Sequence, residues 1–151
     1  MIPEQIKDFN KYGCIARSIM VLAAQKGHPI TREDFCQQFQ YLFVPNYYGG
    51  MMISDISEVI KKLGLGTRFH TSESYGEVTI AFGVFKRSVL ACSDVNLNEG
   101  ATDTIYHVSL LTSIDSGKFS VISPSQDGKD YPLNFVANDW SIKKFHGVIL
   151  I

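Results

Sequence analysis

The sequence lacks the features of a membrane-spanning or nucleic-acid-binding chain. Its longest apolar run, Ile19 to Ala24, is far shorter than the roughly 20 residues that cross a bilayer. Residues 1–5 show neither the basic nor the apolar region of a cleaved signal peptide. The 14 basic and 15 acidic residues give a net charge of −1 without a basic cluster, so no nucleic-acid partner is indicated. We expect a cytoplasmic protein, or one exported without a cleaved signal, with no membrane insertion.

Cysteine is scarce, and its spacing excludes two further classes. An odd count of three cysteines argues against a disulfide framework. No Cys-x-x-Cys or His-x-x-x-His pair is present, so we expect no bound metal and no cofactor. Cys36 and Cys92 lie in apolar stretches that are typical of core positions. Cys14 differs, because a glycine precedes it and an apolar, helix-forming run follows it.

The first half of the chain predicts helices. Apolar side chains spaced by three and four residues predict a helix from Cys14 to about Gln25, ended by Gly27. Its second half is apolar nearly all round, which indicates a helix buried on most sides. Thr31, with Asp34 three residues later, marks the start of a second helix. A third should run from its N-cap Ser54 to Leu63, with Gly64 as the C′ residue.

The second half predicts strands. Its β-rich runs are Thr67–His70, Val78–Phe82, Ser88–Cys92, Ile105–Thr112, Lys118–Ser123 and Gly147–Ile151, with a short helix over Leu133–Trp140. The runs on either side of residues 115–117 form a hairpin. Helices followed by antiparallel strands are typical of an α+β fold, and 151 residues fit one domain over residues 1–151.

Two of these segments carry residues suited to acyl transfer. The partial positive charge at a helix N-terminus favours the thiolate of Cys14. Alternation along the strand places His107 on the same face as Ser109, and a hairpin centred on Ser116 brings the Ser123-Pro124 corner close to it. If the central helix packs on that face, Cys14 comes within reach of the imidazole as nucleophile beside base.

Short motifs in this order resemble the peptidase C39 and C39-like family, the bacterial double-glycine leader peptidases and their relatives. They are Gly13-Cys14-Ile15-Ala16, Gly27 to Thr31, Gly50 to Leu65, Tyr106-His107-Val108-Ser109-Leu110, Phe119 to Pro124, and Phe135 to Trp140 with Gly147-Val148-Ile149. The resemblance covers nearly the whole chain. It implies a papain-like fold, in which N-terminal helices, the central one starting at the cysteine, pack on a C-terminal antiparallel sheet.

The resemblance also implies residue roles. Cys14 would be the nucleophile and His107 the general base and acid. Ser123 stands where the family has the aspartate that orients the histidine, and Asp127 from the same loop is an alternative. The family's oxyanion-hole glutamine is matched by Asp8, so Gln5 or Asn10 would supply the side-chain donor beside the Cys14 backbone N–H.

The leading hypothesis is therefore a bacterial cysteine peptidase, or a related thiol hydrolase, that cleaves a peptide or amide bond in a peptide or protein substrate. One alternative is a catalytically weakened C39-like module that binds a peptide or a partner protein, as degenerate C39-like domains of transporters do. A further alternative is transglutaminase- or acyltransferase-like chemistry with the same two residues, in a secreted bacterial effector.

Overall fold

The structure, a computed structural model, describes residues 1–94, 106–115, 118–122, 129–132 and 145–151. The chain divides into two compact units, Met1–Arg68 and Phe69–Ile151. Helices make up the first unit, and the described residues of the second unit form an antiparallel sheet and one helix. The mixed content agrees with the α+β class. One domain over residues 1–151 and the papain-like arrangement stay predictions.

The first unit begins with a helix that the sequence-based predictions did not include. Its helices are α1 (Pro3–Tyr12), α2 (Cys14–Gln25), α3 (Arg32–Phe39) and α4 (Ile56–Lys62), with 3₁₀ turns at Gln40–Leu42 and Ile53–Asp55. Pro3 opens α1, and the Gln5 side-chain oxygen accepts a 3.2 Å hydrogen bond from the Ile2 N–H. Ile6, Phe9 and Tyr12 recur at the three-residue spacing of an amphipathic helix, although Phe9 is the only fully buried residue in α1.

Helix α2 has the predicted bounds, Cys14–Gln25. The face predicted to point inward, which consists of Ile15, Ser18, Ile19 and Leu22, is buried. Ala16 and Ala23 are buried as well. Gly27 follows the helix with a φ of 81°, a conformation that glycine adopts without steric cost. The apolar stripe was sufficient to predict this helix because it follows a single 3.6-residue period over the whole segment.

The ends of α3 and α4 follow local rules with one exception. The Thr31 hydroxyl caps α3 by accepting from the Asp34 N–H at 3.1 Å, as predicted. Gly64 (φ 71°) ends α4, where the Leu65 N–H bonds to the Ile60 carbonyl at 2.8 Å. The prediction of Ser54 as N-cap is wrong. A 3₁₀ turn occupies Ile53–Asp55, and α4 begins at Ile56.

The second unit contains an antiparallel sheet and helix α5 (Tyr75–Gly83). Its described strands are β1 (Phe69–Ser72), β2 (Val89–Asp94), β3 (Tyr106–Asp115), β4 (Lys118–Ile122), β5 (Lys129–Pro132) and β6 (Phe145–Leu150), in the order β1-β6-β2-β3-β4-β5. The hairpin β3–β4 is confirmed. Its pairing Leu110↔Ile122 is the expected register, and an irregularity follows between Leu111 and Ser113.

The predicted strand Val78–Phe82 is wrong, because this segment lies within α5. Ser74 caps the helix by accepting from the Glu77 N–H at 3.2 Å, and Val78 and Ala81 turn to the sheet. The β propensity of Val-Thr-Ile was outweighed by this cap and by packing of one helical face. The motif Ser-x-x-Glu before an apolar run carried the correct signal. The predicted helix over Leu133–Trp140 lies outside the described residues.

Candidate functional site

Cys14 occupies the first position of α2, directly after the buried Gly13. Its side chain is partly exposed, whereas Cys36 (2% exposed) and Cys92 (0%) are fully buried. All three cysteines lie in the described part of the chain and carry thiols rather than a disulfide. Cys14 therefore combines the two properties that a nucleophilic thiol requires, access for a reagent and a position at a helix N-terminus.

The junction between α1 and α2 fixes where Cys14 begins. The Gly13 N–H donates to the Phe9 carbonyl at 2.9 Å, which ends α1, and the Gly13 carbonyl accepts from the Arg17 N–H at 2.8 Å, which begins α2. A β-carbon at residue 13 would collide with that Phe9 carbonyl oxygen. Glycine is required here because a side chain has no space. The backbone conformation is not the reason, since a φ of −87° is open to any residue.

Arg17 makes the surroundings of Cys14 electropositive. It lies one turn after Cys14 and its Nη1 donates to the Asn10 carbonyl at 3.2 Å. Burial and the neighbouring Arg32 lower the pKa of Arg17, and the opposite charge of a Cys14 thiolate acts in the other direction. The attraction is mutual, so the guanidinium favours the thiolate. The sequence contained this signal as the spacing i, i+3.

The predicted base, His107, lies in β3 of the second unit, where its backbone pairs with Ser93. Leu111 packs with Val78 and Ala81 of α5, about 13 Å along the strand from residue 107. The pairing of Cys14 with His107 stays a prediction.

The first unit contains a single histidine, His28, which lies just after α2. A helix of 12 residues is about 18 Å long, and Cys14 and His28 lie at opposite ends of it. His28 is therefore no candidate for a base beside Cys14.

The remaining predicted site residues have separate placements. Ser123 and Asp127 lie outside the described residues. Gln5 lies in the first turn of α1, where its amide oxygen accepts from Ile2. Asn10 lies in the last turn of α1, and its carbonyl binds Arg17. Asn10 is thus associated with the Cys14 end of the helix pair, and Gln5 with the other end of α1.

A cavity of about 750 Å³ opens in the first unit. Its lining residues are Asp8, Gln40, Tyr41, Phe43, Val44, Pro45, Asn46 and Tyr48. The lining includes three aromatic side chains and one carboxylate. The volume lies within the size range of ligand sites in proteins. Most of the lining thus comes from the aromatic segment from Tyr41 to Tyr48.

The buried thiol of Cys36 forms a hydrogen bond with Tyr48, one of the residues that line this cavity. The Tyr48 hydroxyl donates a hydrogen bond to the Cys36 sulfur, and burial together with this bond raises the pKa of Tyr48 to about 12. Burial also raises the pKa of Cys36. Cys36 therefore stays a neutral thiol at physiological pH, which separates its structural role from the chemistry expected of Cys14.

Within the described residues, no group of three or more histidine, cysteine, aspartate or glutamate side chains is arranged to hold a metal ion. No helix in this part of the chain is long and apolar enough to cross a membrane. No known protein family matches the chain, and no curated protein matches it significantly.

Proposed function

We propose that the chain is a thiol hydrolase of the papain-like type that cleaves a peptide or amide bond. The observation that carries the proposal is the partly exposed Cys14 thiol at the first position of a buried helix, with Arg17 one turn away. Buried structural cysteines lack both properties. The resemblance to the C39 and C39-like family supports the same residue as nucleophile.

In the proposed reaction the Cys14 thiolate attacks the carbonyl carbon of the scissile bond. The Cys14 backbone N–H and an amide side chain from Asn10 or Gln5 stabilise the resulting oxyanion. His107 transfers a proton to the departing amine, and water then hydrolyses the thioester with His107 as the base. Ser123 or Asp127 orients the imidazole.

Alkylation by iodoacetamide at neutral pH, followed by peptide mapping, tests the nucleophile. We expect Cys14 to react much faster than Cys36 and Cys92. Replacing Arg17 by glutamine should slow alkylation about two- to fivefold, because a partly exposed charge pair contributes roughly 0.5–1 kcal/mol. Arg17→Lys retains the charge and should retain most of the rate. Equal reactivity of the three thiols would refute the proposal.

The rate of Cys14 alkylation in His107→Ala tests the role of His107 as the base. His70→Ala is the control. We expect a large decrease in the rate of Cys14 alkylation in the first variant and no change in the second, because His70 of β1 pairs with Glu77 of α5. A normal rate in His107→Ala would refute the dyad while leaving an activated Cys14 in place. Cleavage of a peptide library, absent in Cys14→Ala, tests the reaction itself.

The second candidate function is peptide binding without cleavage. The cavity beside α1 favours it, because Asp8 stands at the position where the related family has its oxyanion donor, and a carboxylate repels an oxyanion. Retained peptide binding in Cys14→Ala, together with no turnover by the unmodified chain, would favour this candidate over the hydrolase.

A further inference from the structure

The cavity of the first unit has the chemistry of a cation-binding site. Among its eight lining residues, the carboxylate of Asp8 is the one charged group. Asp8 lies on α1 and is partly buried. Within the described residues, no lysine or arginine forms an ion pair with it. A partly desolvated carboxylate without a cationic partner attracts a positive group from solution.

The cation that is bonded to the lining residue Tyr41 is already neutralised. The Lys62 ammonium donates to the Tyr41 hydroxyl at 2.6 Å and lies 3.9 Å from the Glu58 carboxylate. The Tyr41 hydroxyl in turn donates to Glu58 at 3.0 Å. Because Glu58 offsets the charge of Lys62, this network leaves the negative charge of Asp8 as the net charge facing the cavity.

Aromatic rings provide the second attraction for a cation. Tyr41, Phe43 and Tyr48 line the cavity. The Lys62 ammonium already lies over the Tyr41 ring, 5.0 Å from its centroid, and the faces of the other two rings attract guanidinium and ammonium groups. Phe43 and Tyr48 meet edge to face with their centroids 5.2 Å apart. The Tyr48 hydroxyl is held by its hydrogen bond to Cys36. Two of the three rings therefore have fixed orientations.

The loop that carries these rings is also fixed. The Val44 N–H donates to the Gly50 carbonyl, and the Gly50 N–H donates to the Tyr47 carbonyl, both at 2.8 Å. Gly49, with a φ of 90°, lies so close to Phe9 that a β-carbon would approach the Phe9 ring to 2.7 Å. A wall held in this way loses little conformational entropy when a ligand binds, which favours a preformed site.

We propose that this cavity binds the basic side chain of a peptide, the guanidinium of arginine or the ammonium of lysine. Asp8 supplies the opposite charge, and the aromatic rings pack against the cation and its aliphatic stem. An anionic side chain is excluded by repulsion from Asp8. A neutral apolar side chain would desolvate the carboxylate without a partner.

Isothermal titration calorimetry of the full chain tests this with pentapeptides of alanine, blocked at both ends and carrying one central residue. Arginine, lysine and citrulline are compared, since citrulline has nearly the shape of arginine without its charge. The inference rests on the proposed function in taking a peptide as the ligand, so all titrations use the Cys14→Ser background, in which no cleavage occurs. Binding and catalysis can then fail independently.

We expect the arginine and lysine peptides to bind roughly tenfold more tightly than the citrulline peptide. Asp8→Asn should remove this preference without weakening the citrulline peptide. Asp34→Asn is the matched control, because Asp34 lies at the start of α3 and does not line the cavity, and it should retain the full preference. Equal affinities for arginine and citrulline, or a preference that survives Asp8→Asn, would overturn the proposal.

Calorimetric titration with arginine amide, a single amino acid, distinguishes a peptide ligand from a small cation. We expect it to bind more weakly than the arginine peptide, because the backbone on either side adds contacts with the cavity rim. Equal affinity would overturn the assignment to peptides. If the arginine preference is present but Cys14 is unreactive towards iodoacetamide, the hydrolase fails and the basic-residue site stands.

Discussion

Replacing Gly13 by alanine tests whether the junction before Cys14 requires glycine. The new β-carbon would overlap the Phe9 carbonyl oxygen and would lie 3.4 Å from the Phe9 carbonyl carbon. That oxygen is the acceptor of the Gly13 N–H, at 2.9 Å. The overlap can be relieved only by weakening this hydrogen bond or by shifting the start of α2.

The size of the effect follows from two opposed contributions. Forcing an extra methyl group into a packed site costs about 1–3 kcal/mol. Alanine also restricts the unfolded chain, which returns about 0.4–1 kcal/mol, and the φ of −87° at Gly13 adds no backbone strain. We expect a net loss of about 1–2 kcal/mol in the free energy of unfolding, or a melting temperature lower by about 3–6 °C.

Urea unfolding followed by circular dichroism measures this loss, and the rate of Cys14 alkylation reports the displaced start of α2. The control is Gly76→Ala in α5, where the nearest atom to a β-carbon is the Ser74 hydroxyl oxygen at 3.8 Å. Gly76→Ala should stabilise the protein by about 0.4–1 kcal/mol. A Gly13→Ala protein that equals or exceeds the unmodified chain in stability would refute the steric reasoning.

Two further predictions concern buried polar groups. Because the pKa of Tyr48 rises to about 12 in the folded state from 10.0, its contribution is complete below pH 10 and is lost as the pH rises from 10 to 12. We expect the unmodified chain to lose on the order of 1 kcal/mol more than Tyr48→Phe over this range in urea titrations, and parallel pH profiles would contradict the assignment. Glu77 accepts from the buried Ser72 hydroxyl at 3.0 Å and pairs with His70 at 2.7 Å. In thermal unfolding, Glu77→Ala should cost about 1 kcal/mol and His70→Ala about 0.5 kcal/mol or less, and the reverse order would be inconsistent with a role for Ser72.

Most of the helices could be read from the sequence because their signals are local. The period of apolar residues predicted α2 from near Cys14 to about Gln25, and the Thr31 cap and Gly64 predicted one end each of α3 and α4. The hairpin followed from its turn residues, but its expected register holds only beyond the irregularity between Leu111 and Ser113. Each of these features depends on residues a few positions apart, so no knowledge of the rest of the fold was needed.

The failures have the opposite character. Helix α1 buries only one residue of its apolar stripe, Phe9, and α5 contains a run whose high β propensity favours a strand. In α5 the choice was made by the Ser74 cap and by packing of Val78 and Ala81 against the sheet. Long-range packing therefore outweighed intrinsic preference where the two disagreed.

For the candidate site, the sequence by itself determined that a cysteine follows a glycine at the start of a helix. Only the tertiary structure showed that this glycine is required by the Phe9 carbonyl, and that Arg32 acts on Arg17 beside the thiol. The cavity was likewise decided by tertiary structure, because Asp8 and the loop ending at Tyr48 lie about 40 residues apart and meet only when packed. Spacing along the chain reveals what a helix turn brings together, and distant segments are brought together by burial of apolar surface.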